Sequence, residues 1–321
     1  KRFKNTFGEN IFRFKYAQGP GDTWDKLAER LVDDVCGTRG GTLSPLLGKS
    51  DQDDLIHAIK NMQFLPGGRY LYYAGRPYKA YNNCFLLRAE EDTREEWSNV
   101  TWRAMSCLMT GGGIGIDYSR LRASGKALSR TGGTASGPIP LMYAINEIGR
   151  QIMQGGSRRS AIYASLNWQH DDINQFLVAK NWNQLTREQK AVDFNYPAAL
   201  DMTNISVNYD DAAIWNGKDD GASGLASNPV FLQNVRQAME TGEPGFSFNF
   251  GDKQNETLRN ACTEVTSEDD SDVCNLGSIN LGNIRSLDEF RAVVQLASKF
   301  LVCGTLRADL PYDKVYKVRE K

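Results

Sequence analysis

Apolar and polar positions follow a helical period early in this chain and a mixed helix and strand pattern afterwards. Residues 22–32 and 52–62 carry apolar side chains at helical spacing, which predicts a helical segment over residues 1–62. Strands are predicted from short apolar or alternating runs at residues 84–87, 161–166, 203–207 and 246–250. Helices are predicted between them at residues 90–109, 139–153, 171–177 and 230–239. This alternation favours an α/β sheet or barrel with parallel strand pairing.

Three stretches lack such a period and are candidates for ligand contact. The glycine run at residues 111–115 lets backbone amides approach a ligand or lets a strand pack tightly, but it is neither a dinucleotide fingerprint nor a P-loop. Residues 154–159 place glycines beside two arginines, which suits an anionic ligand as well as a solvated surface loop. Residues 181–201 form an irregular segment longer than a plain connection needs, which is typical of functional loops.

Composition limits the classes of function. The chain has 321 residues, of which 40% are hydrophobic, enough to bury the core of one large domain or two smaller ones. The net charge of -1 gives no general signature of DNA binding. No run approaches the roughly 18 apolar residues of a membrane span, and no signal-peptide core follows the first residues. We therefore expect a cytoplasmic protein without membrane contact.

Six cysteines are spread through a chain too large to need disulfide staples, so we expect reduced thiols. With no CxxC pair and only His57 and His170 as histidines, the sequence predicts no metal site. Cys36 ends a predicted helix and Cys107 lies within one, so both are interpreted as structural. Cys84 begins a predicted strand, where a core thiol is the simplest interpretation from local pattern alone.

One stretch concentrates reactive groups. Asn260, Cys262 and Glu264 stand two residues apart, and in an extended or tightly looped backbone such side chains point the same way. An amide, a thiol and a carboxylate can therefore meet one small substrate. Cys274 follows Cys262 by twelve residues, across an acidic spacer without helical period, which predicts a hairpin-like excursion. Two thiols able to close on each other indicate redox chemistry.

Taken together, the motifs resemble the catalytic subunit of ribonucleotide reductases, from about Phe12 to the C-terminus. The markers, in the order in which that family has them, are Asn83–Phe85, Gly111–Gly115, Ser136–Pro138, Gln154–Arg159, Asn204–Val207, Gly242–Gly245, Asn260–Glu264 and Cys274–Leu281. Each marker alone is weak evidence, whereas the ordered set is specific.

The resemblance implies an α/β fold built as a ten-stranded barrel, with Cys262 at the tip of a finger loop threaded through its centre. After the helical segment at residues 1–62, the barrel domain would then cover residues 63–321. It is expected to lack the later barrel strands of the family, its second phosphate-binding loop and its C-terminal cysteine pair.

The resemblance also implies an oxidoreductase that reduces ribonucleotides, as di- or triphosphates, to 2′-deoxyribonucleotides for DNA synthesis. Cys262 would become a thiyl radical and abstract the 3′ hydrogen, Glu264 would be the general base on the 3′-hydroxyl, and Asn260 would hydrogen-bond the ribose hydroxyls. Cys84 and Cys274 would supply two electrons and end as a disulfide. A thioredoxin or glutaredoxin-like protein would reset that disulfide.

Cys303 is the main rival of Cys274 as the second redox thiol, because some family members place that cysteine further from the radical cysteine. The short spacing and the Cys274–Leu281 context favour Cys274. Cys36, Cys107 and Cys303 match no marker and keep a structural interpretation.

Nucleotide contacts are expected from the same resemblance. The implied substrate-binding residues are Asn83, Gly112, Gly113 and Asn260. A deoxynucleotide effector would bind near residues 117–134 and signal through residues 181–201. The implied effector contacts are Asp117, Arg122 and Lys126.

The motif departs from the family pattern, because Ala261 and Thr263 stand where proline and glycine are more usual, which alters the stiffness of the loop. The radical source is left open. The spacing of Cys274 from Cys262 resembles class II enzymes, which use adenosylcobalamin, whereas residues 88–97 resemble compact viral class I subunits, which receive the radical from a metal-bearing beta subunit. A viral member would act in the host cytoplasm. A homodimer is among the partners considered.

Two further functions stay open. One is a non-catalytic nucleotide-binding fragment, since the later barrel strands are expected to be missing. The other is a simple dithiol oxidoreductase that uses Cys262 and Cys274, although it leaves Asn260 and Glu264 without a role.

Overall fold

A computed structural model describes residues 3–152, 160–214 and 224–321. The α-helices are α1 (Thr6–Ile11), α2 (Trp24–Val35), α3 (Lys49–Lys60), α4 (Gly68–Tyr73), α5 (Arg94–Met109), α6 (Pro138–Gln151), α7 (Ile173–Leu177), α8 (Gln184–Val192), α9 (Asp211–Ile214), α10 (Pro229–Thr241), α11 (Leu287–Arg307) and α12 (Asp313–Val318). The strands are β1 (Phe64–Pro66), β2 (Cys84–Arg88), β3 (Gly113–Asp117), β4 (Ile162–Asn167), β5 (Thr203–Tyr209), β6 (Gly245–Phe248), β7 (Leu258–Arg259), β8 (Thr266–Ser267), β9 (Asp272–Cys274) and β10 (Gly277–Ile279).

The chain divides into two compact units, which we call the helical unit (residues 1–83 and 273–321) and the sheet unit (residues 84–272). The sequence predicts a domain boundary between residues 62 and 63, and that boundary stays a prediction. The compact units themselves are separated after residue 83 and again after residue 272.

The helical unit is built around α2, α3 and α11, which pack on one another. The Thr23 side chain caps α2 by accepting the N–H of Lys26, and the apolar residues of that helix recur at helical spacing and are buried. Phe300 of α11 packs edge-on against Phe64 of β1, with ring centroids 5.5 Å apart. β1 in turn pairs antiparallel with β10, where Phe64 stands opposite Ile279. Apolar side chains therefore join the beginning of this unit to its end.

Five strands of the sheet unit pair in parallel in the order β6-β5-β4-β3-β2. Strands β2, β3 and β4 are buried along nearly their whole length, as expected of parallel strands with both faces covered. The helices α5 and α6 cross between successive strands. Thr93 caps α5 by accepting the N–H of Glu96, and α6 begins at Pro138, a favoured residue for the first helical position.

The structure confirms the predicted strands, the helices between them and their parallel pairing. A closed ten-stranded barrel is not among the described elements and stays a prediction. Residues 154–159, with their two arginines, lie outside the described residues. In the described ranges no helix has the length and apolar character needed to cross a membrane.

One segment differs from its prediction. Residues 181–201 were expected to be irregular, yet they contain α8, which Asn183 caps by accepting the N–H of Thr186. Most of its residues are good helix formers, but no residue of α8 is buried. A helix that buries no face shows no apolar stripe, and the pattern of apolar positions therefore gave no signal for it.

Candidate active site

Asn260, Cys262 and Glu264 lie in the turn of a short hairpin that we call the finger hairpin, residues 257–267. β7 and β8 form its stem, with Arg259 opposite Thr266. The backbone N–H of Thr263 donates to the carbonyl oxygen of Asn260 at 3.0 Å. The N–H of Val265 donates to the Asn260 side-chain oxygen at 3.1 Å. The fully buried Asn260 thus folds the turn on itself, while Cys262 and Glu264 are exposed.

The hairpin turns at the motif itself, whereas the sequence led us to expect the excursion between Cys262 and Cys274. The stem explains the difference. Each strand is two residues long, so the pairing of Leu258 with Ser267 and of Arg259 with Thr266 leaves no period to read from the sequence.

β7 lies antiparallel along β3, in a register that three contacts define. The Thr257 hydroxyl donates to Asp117 at 2.6 Å. A Cβ added to Gly115 would lie only 1.8 Å from the Arg259 carbonyl oxygen, and one added to Gly113 would lie 3.0 Å from Ala261 Cβ. Positions 113, 115 and 117 alternate along a strand and therefore share one face of β3. The glycine run thus makes room for the finger hairpin, which is the tight-packing alternative of the two that its sequence allowed.

Cys84, on the neighbouring strand β2, lies beside the same glycine, Gly113. It stands opposite Gly113 in the parallel pairing of β2 with β3. Its sulfur would lie 3.2 Å from a Cβ added to Gly113, which is also the position that Ala261 contacts. The structure therefore brings the Cys84 thiol and the tip of the finger hairpin together over one glycine.

Arg259 was not singled out from the sequence, although it joins the hairpin to the end of β6. Its guanidinium donates to the Ser247 hydroxyl at 2.5 Å, to the Phe248 carbonyl oxygen at 3.2 Å and to the Asn249 side-chain oxygen at 3.2 Å. It also donates to the Thr263 carbonyl oxygen at 3.3 Å. A single arginine in a short strand carries no signal until the fold brings residues 247–249 beside it.

The stem has a further polar contact at its base. The Thr266 hydroxyl donates to Glu256 at 2.5 Å, and this hydrogen bond lowers the pKa of the Glu256 carboxyl. The carboxylate is therefore kept ionised as an acceptor for the hairpin.

The six cysteines all lie in the described ranges and separate by exposure. Cys262 is exposed, whereas the other five are buried. Exposure therefore distinguishes Cys262 from the other five thiols.

Cys274 and Asn83 belong to the helical unit, where the N–H of Asn83 donates to the Cys274 carbonyl oxygen at 2.9 Å. In the same unit the thiols of Cys36 and Cys303 interact with each other. The interaction with Cys303, together with burial, raises the pKa of Cys36. Cys303, the rival of Cys274, is therefore engaged with another thiol, and the pairing of Cys84 with Cys274 stays a prediction.

Of the three implied effector residues, Arg122 and Lys126 lie in one cleft and Asp117 lies outside it. Arg122 and Lys126 line a surface cleft of about 500 Å³ that follows the carboxyl ends of β3 and β4, a usual position for ligands in parallel sheets. The residues lining the cleft are Asp92, Leu121, Arg122, Ala123, Lys126, Gln169, His170 and Asp171.

Ion pairs hold the basic side chains of this cleft. Arg122 is paired with Asp92 at 2.5 Å and Lys126 with Asp171 at 2.7 Å. The hydrogen bond with Asp171 raises the pKa of Lys126. Asp117, by contrast, is buried and accepts hydrogen bonds from Ser119 and Thr257, so it positions the hairpin and does not line the cleft.

Among the described residues, no group of three or more histidine, cysteine or carboxylate side chains is placed to hold a metal ion. The structure thus offers an exposed thiol beside a carboxylate at a hairpin tip, and a second thiol beside the same tip.

Comparisons with known proteins place most of the chain in one family. Residues 82–204 and 225–321 match the family described as "Ribonucleotide reductase, barrel domain". The chain is 28% identical over 269 residues to the vitamin B12-dependent ribonucleoside-diphosphate reductase of Mycobacterium tuberculosis, covering 76% of this chain and 37% of that protein. The protein of the same name from Thermoplasma acidophilum is 27% identical over 281 residues, covering 81% and 35%.

A relative without B12 in its name matches to a similar degree. The ribonucleoside-diphosphate reductase large subunit of Arabidopsis thaliana is 27% identical over 273 residues, covering 73% of this chain and 33% of that protein. The chain thus spans about a third of the length of these curated relatives.

Proposed function

This chain belongs to the ribonucleotide reductase family through its barrel domain, and we propose that the protein reduces ribonucleotides to 2′-deoxyribonucleotides by thiyl-radical chemistry. The observation that carries the proposal is the finger hairpin. It exposes Cys262 and Glu264 on one turn and places that turn over Gly113, which stands opposite Cys84 in the neighbouring strand.

The three groups of the turn take different roles. Cys262 carries the unpaired electron and removes the 3′ hydrogen of the ribose, which a closed-shell acid or base cannot do. Glu264 accepts the proton of the 3′-hydroxyl, and its exposure next to Cys262 supports that role. Asn260 is proposed to hydrogen-bond the ribose hydroxyls, although its side-chain oxygen in this structure accepts from Val265.

Cys84 and Cys274 are proposed as the reductant. Replacing the 2′-hydroxyl by hydrogen releases water and needs two electrons and two protons, which two thiols provide when they become one disulfide. Reduction of that disulfide by a thioredoxin or glutaredoxin-like protein restores both thiols for the next turnover. The position of Cys84 beside the hairpin tip supports its part in this step.

Substrate and radical source follow from the relatives. Their names specify ribonucleoside diphosphates, which favours diphosphates over triphosphates here. Adenosylcobalamin, when bound, supplies a carbon-centred radical that can oxidise a nearby thiol, and the exposure of Cys262 suits such a group as well as a separate beta subunit. We propose adenosylcobalamin first, because the spacing of Cys274 from Cys262 resembles class II enzymes. The beta subunit is the alternative, because B12-dependent and other large-subunit relatives match this chain to the same degree.

The test is turnover of the complete protein with Cys262→Ser. Deoxynucleotide formation should fall below detection with either radical source, because the serine hydroxyl does not replace the cysteine thiol as a carrier of the unpaired electron. Cys107→Ala is the matched control, since Cys107 is buried in α5 and keeps no proposed role. Deoxynucleotide formation by Cys262→Ser at the control rate would show that another residue is the radical carrier.

The assay is run with and without added adenosylcobalamin. Activity that needs only the cobalamin excludes a beta subunit as radical source, and activity that needs a second protein chain excludes the cobalamin.

The cleft with Arg122 and Lys126 supports a second candidate function, a nucleotide-binding module without turnover. In the reductase proposal the same cleft receives a deoxynucleotide effector, since two cationic side chains suit phosphate groups. Titration with deoxynucleotides beside the turnover assay separates the two functions. Binding without deoxynucleotide formation under either radical source supports the module.

A further inference from the structure

We propose that Arg259 is a positioning residue that holds Cys262 in place by fastening the carbonyl of Thr263 to the end of β6. The catalytic consequence rests on the proposed function, since it takes Cys262 as the radical thiol, whereas the structural part of the proposal does not.

The first observation is the backbone of the residue after Cys262. Thr263 has a φ of 72°, in the left-handed region that β-branched residues rarely adopt. Glycine reaches this region without a steric penalty, whereas a Cβ and a branched side chain make it costly. The turn that presents Cys262 is therefore strained, and such a conformation persists only where neighbouring contacts impose it.

The second observation is a side-chain contact that restrains this residue. The Arg259 guanidinium donates to the Thr263 carbonyl oxygen at 3.3 Å. It thereby connects the first strand of the hairpin to Thr263 across the turn. The other end of the guanidinium is anchored by the Ser247 hydroxyl at 2.5 Å and by the Asn249 side chain at 3.2 Å. Both anchors are almost completely buried, at 1% and 2% exposure.

The third observation is that the backbone of Arg259 is itself fixed. Its carbonyl oxygen lies only 1.8 Å from the position that a Cβ of Gly115 would take, so the residue packs directly on β3. A planar guanidinium can serve several acceptors at once from this rigid base, which the single ammonium of a lysine cannot do with the same geometry. Arg259 thus transfers the rigidity of β3 and β6 to the residue that follows Cys262.

Strain at Thr263 and restraint by Arg259 make the two residues a pair with a testable coupling. Removing the restraint should let Thr263 relax and open the turn. Replacing Thr263 by glycine removes the strain, and the turn should then need the restraint far less.

The experiment is a double-mutant cycle in the complete protein with Arg259→Gln, Thr263→Gly and both changes together. Hydrogen exchange of a peptide covering residues 260–265 reports the turn, because the N–H groups of Thr263 and Val265 are both bonded to Asn260. Arg259→Gln should speed exchange there by at least about tenfold, because losing the charged hydrogen bond to the Thr263 carbonyl alone accounts for about that factor. The added Thr263→Gly should bring exchange back to within about threefold of the parent.

Turnover gives the second readout. Arg259→Gln should lower kcat far more than it changes KM, because the reacting thiol on the turn is displaced while the substrate contacts outside the turn remain. The added Thr263→Gly should recover most of kcat, and Arg259→Lys should recover only part of it. Arg94→Gln is the matched control, since Arg94 is an exposed arginine whose pairing with Glu95 lies on the surface of α5.

The outcomes separate the two proposals. Unchanged exchange in Arg259→Gln, or no recovery with Thr263→Gly, overturns the positioning role. The expected exchange pattern in a protein that forms no deoxynucleotide supports the positioning role and counts against the proposed function instead. If Arg259→Gln does not fold, Ser247→Ala replaces it in the same cycle, because it removes one anchor and leaves the guanidinium.

Discussion

Gly115 is the position where the seat of the finger hairpin can be tested most sharply. A Cβ at this residue would lie 1.8 Å from the carbonyl oxygen of Arg259, and a carbon and a carbonyl oxygen normally approach to about 3.3 Å. Gly115→Ala therefore requires β7 to move away from β3 by about 1.5 Å, the difference between these distances. The obstacle is backbone on both sides, so a side-chain rotation cannot relieve it.

Two effects of known size follow from such a shift. Overpacking of a well-packed core costs about 1–3 kcal/mol, and we expect the free energy of unfolding to fall by that amount. A misplacement of about 1 Å at a reacting group can cost a factor of about 100 in rate, and we expect turnover to fall by that factor. Urea unfolding and deoxynucleotide formation by the complete protein measure the two effects.

A graded series provides the controls. Gly113→Ala meets Ala261 Cβ at 3.0 Å and the Cys84 sulfur at 3.2 Å, so it should have a smaller effect in both assays. A Cβ at Gly21 has no heavy atom within 4 Å, and Gly21→Ala should match the parent. If Gly115→Ala matched Gly21→Ala in stability and turnover, β7 would not lie on β3 in the register described.

Two other predictions concern thiols and pH. Brief alkylation of the native protein, followed by mass spectrometry, should label the exposed Cys262 well before the five buried cysteines, and equal labelling would contradict their burial. Burial raises the pKa of Asp201, but hydrogen bonds from Arg150, Lys190 and Asn146 outweigh it and lower the pKa to about 2. Because the folded-state pKa of Asp201 lies below the ordinary value of 3.8, the ionised carboxylate stabilises the fold fully above pH 4, and this contribution is lost towards pH 2. Unfolding measured as a function of pH should show the loss. Asp201→Asn should abolish this pH dependence.

The strands and helices of the sheet unit could be predicted from the sequence because each of them buries an apolar face. Runs such as the one around Ile162 and the helix around Val100 place apolar side chains at the period of their element, and that burial is what the structure shows. α8 was missed for the same reason, since it lies on the surface and is stabilised by its cap and by helix-forming residues.

The reactive groups of the turn could be named from sequence, but not the contacts that hold them. Asn260, Cys262 and Glu264 stand together in the chain, whereas Arg259 acts through Ser247 and Asn249, which only the fold brings near. For Asp117 the expected effector contact stays a prediction, and the structure adds a contact that the sequence did not indicate: its carboxylate accepts from Thr257 at the base of the hairpin.

The glycines of β3 connect the two kinds of thiol chemistry proposed for this protein. The space that a Cβ at Gly113 would take is bordered by Ala261, the neighbour of Cys262, and by the Cys84 sulfur, so the proposed radical thiol and one proposed reducing thiol both lie near this residue. Such positioning uses backbone packing, which cannot adjust by changing a rotamer. A side chain at residue 113 would therefore press on Ala261 and on the Cys84 sulfur at the same time. This argues that the glycine run is required for the placement of both thiols.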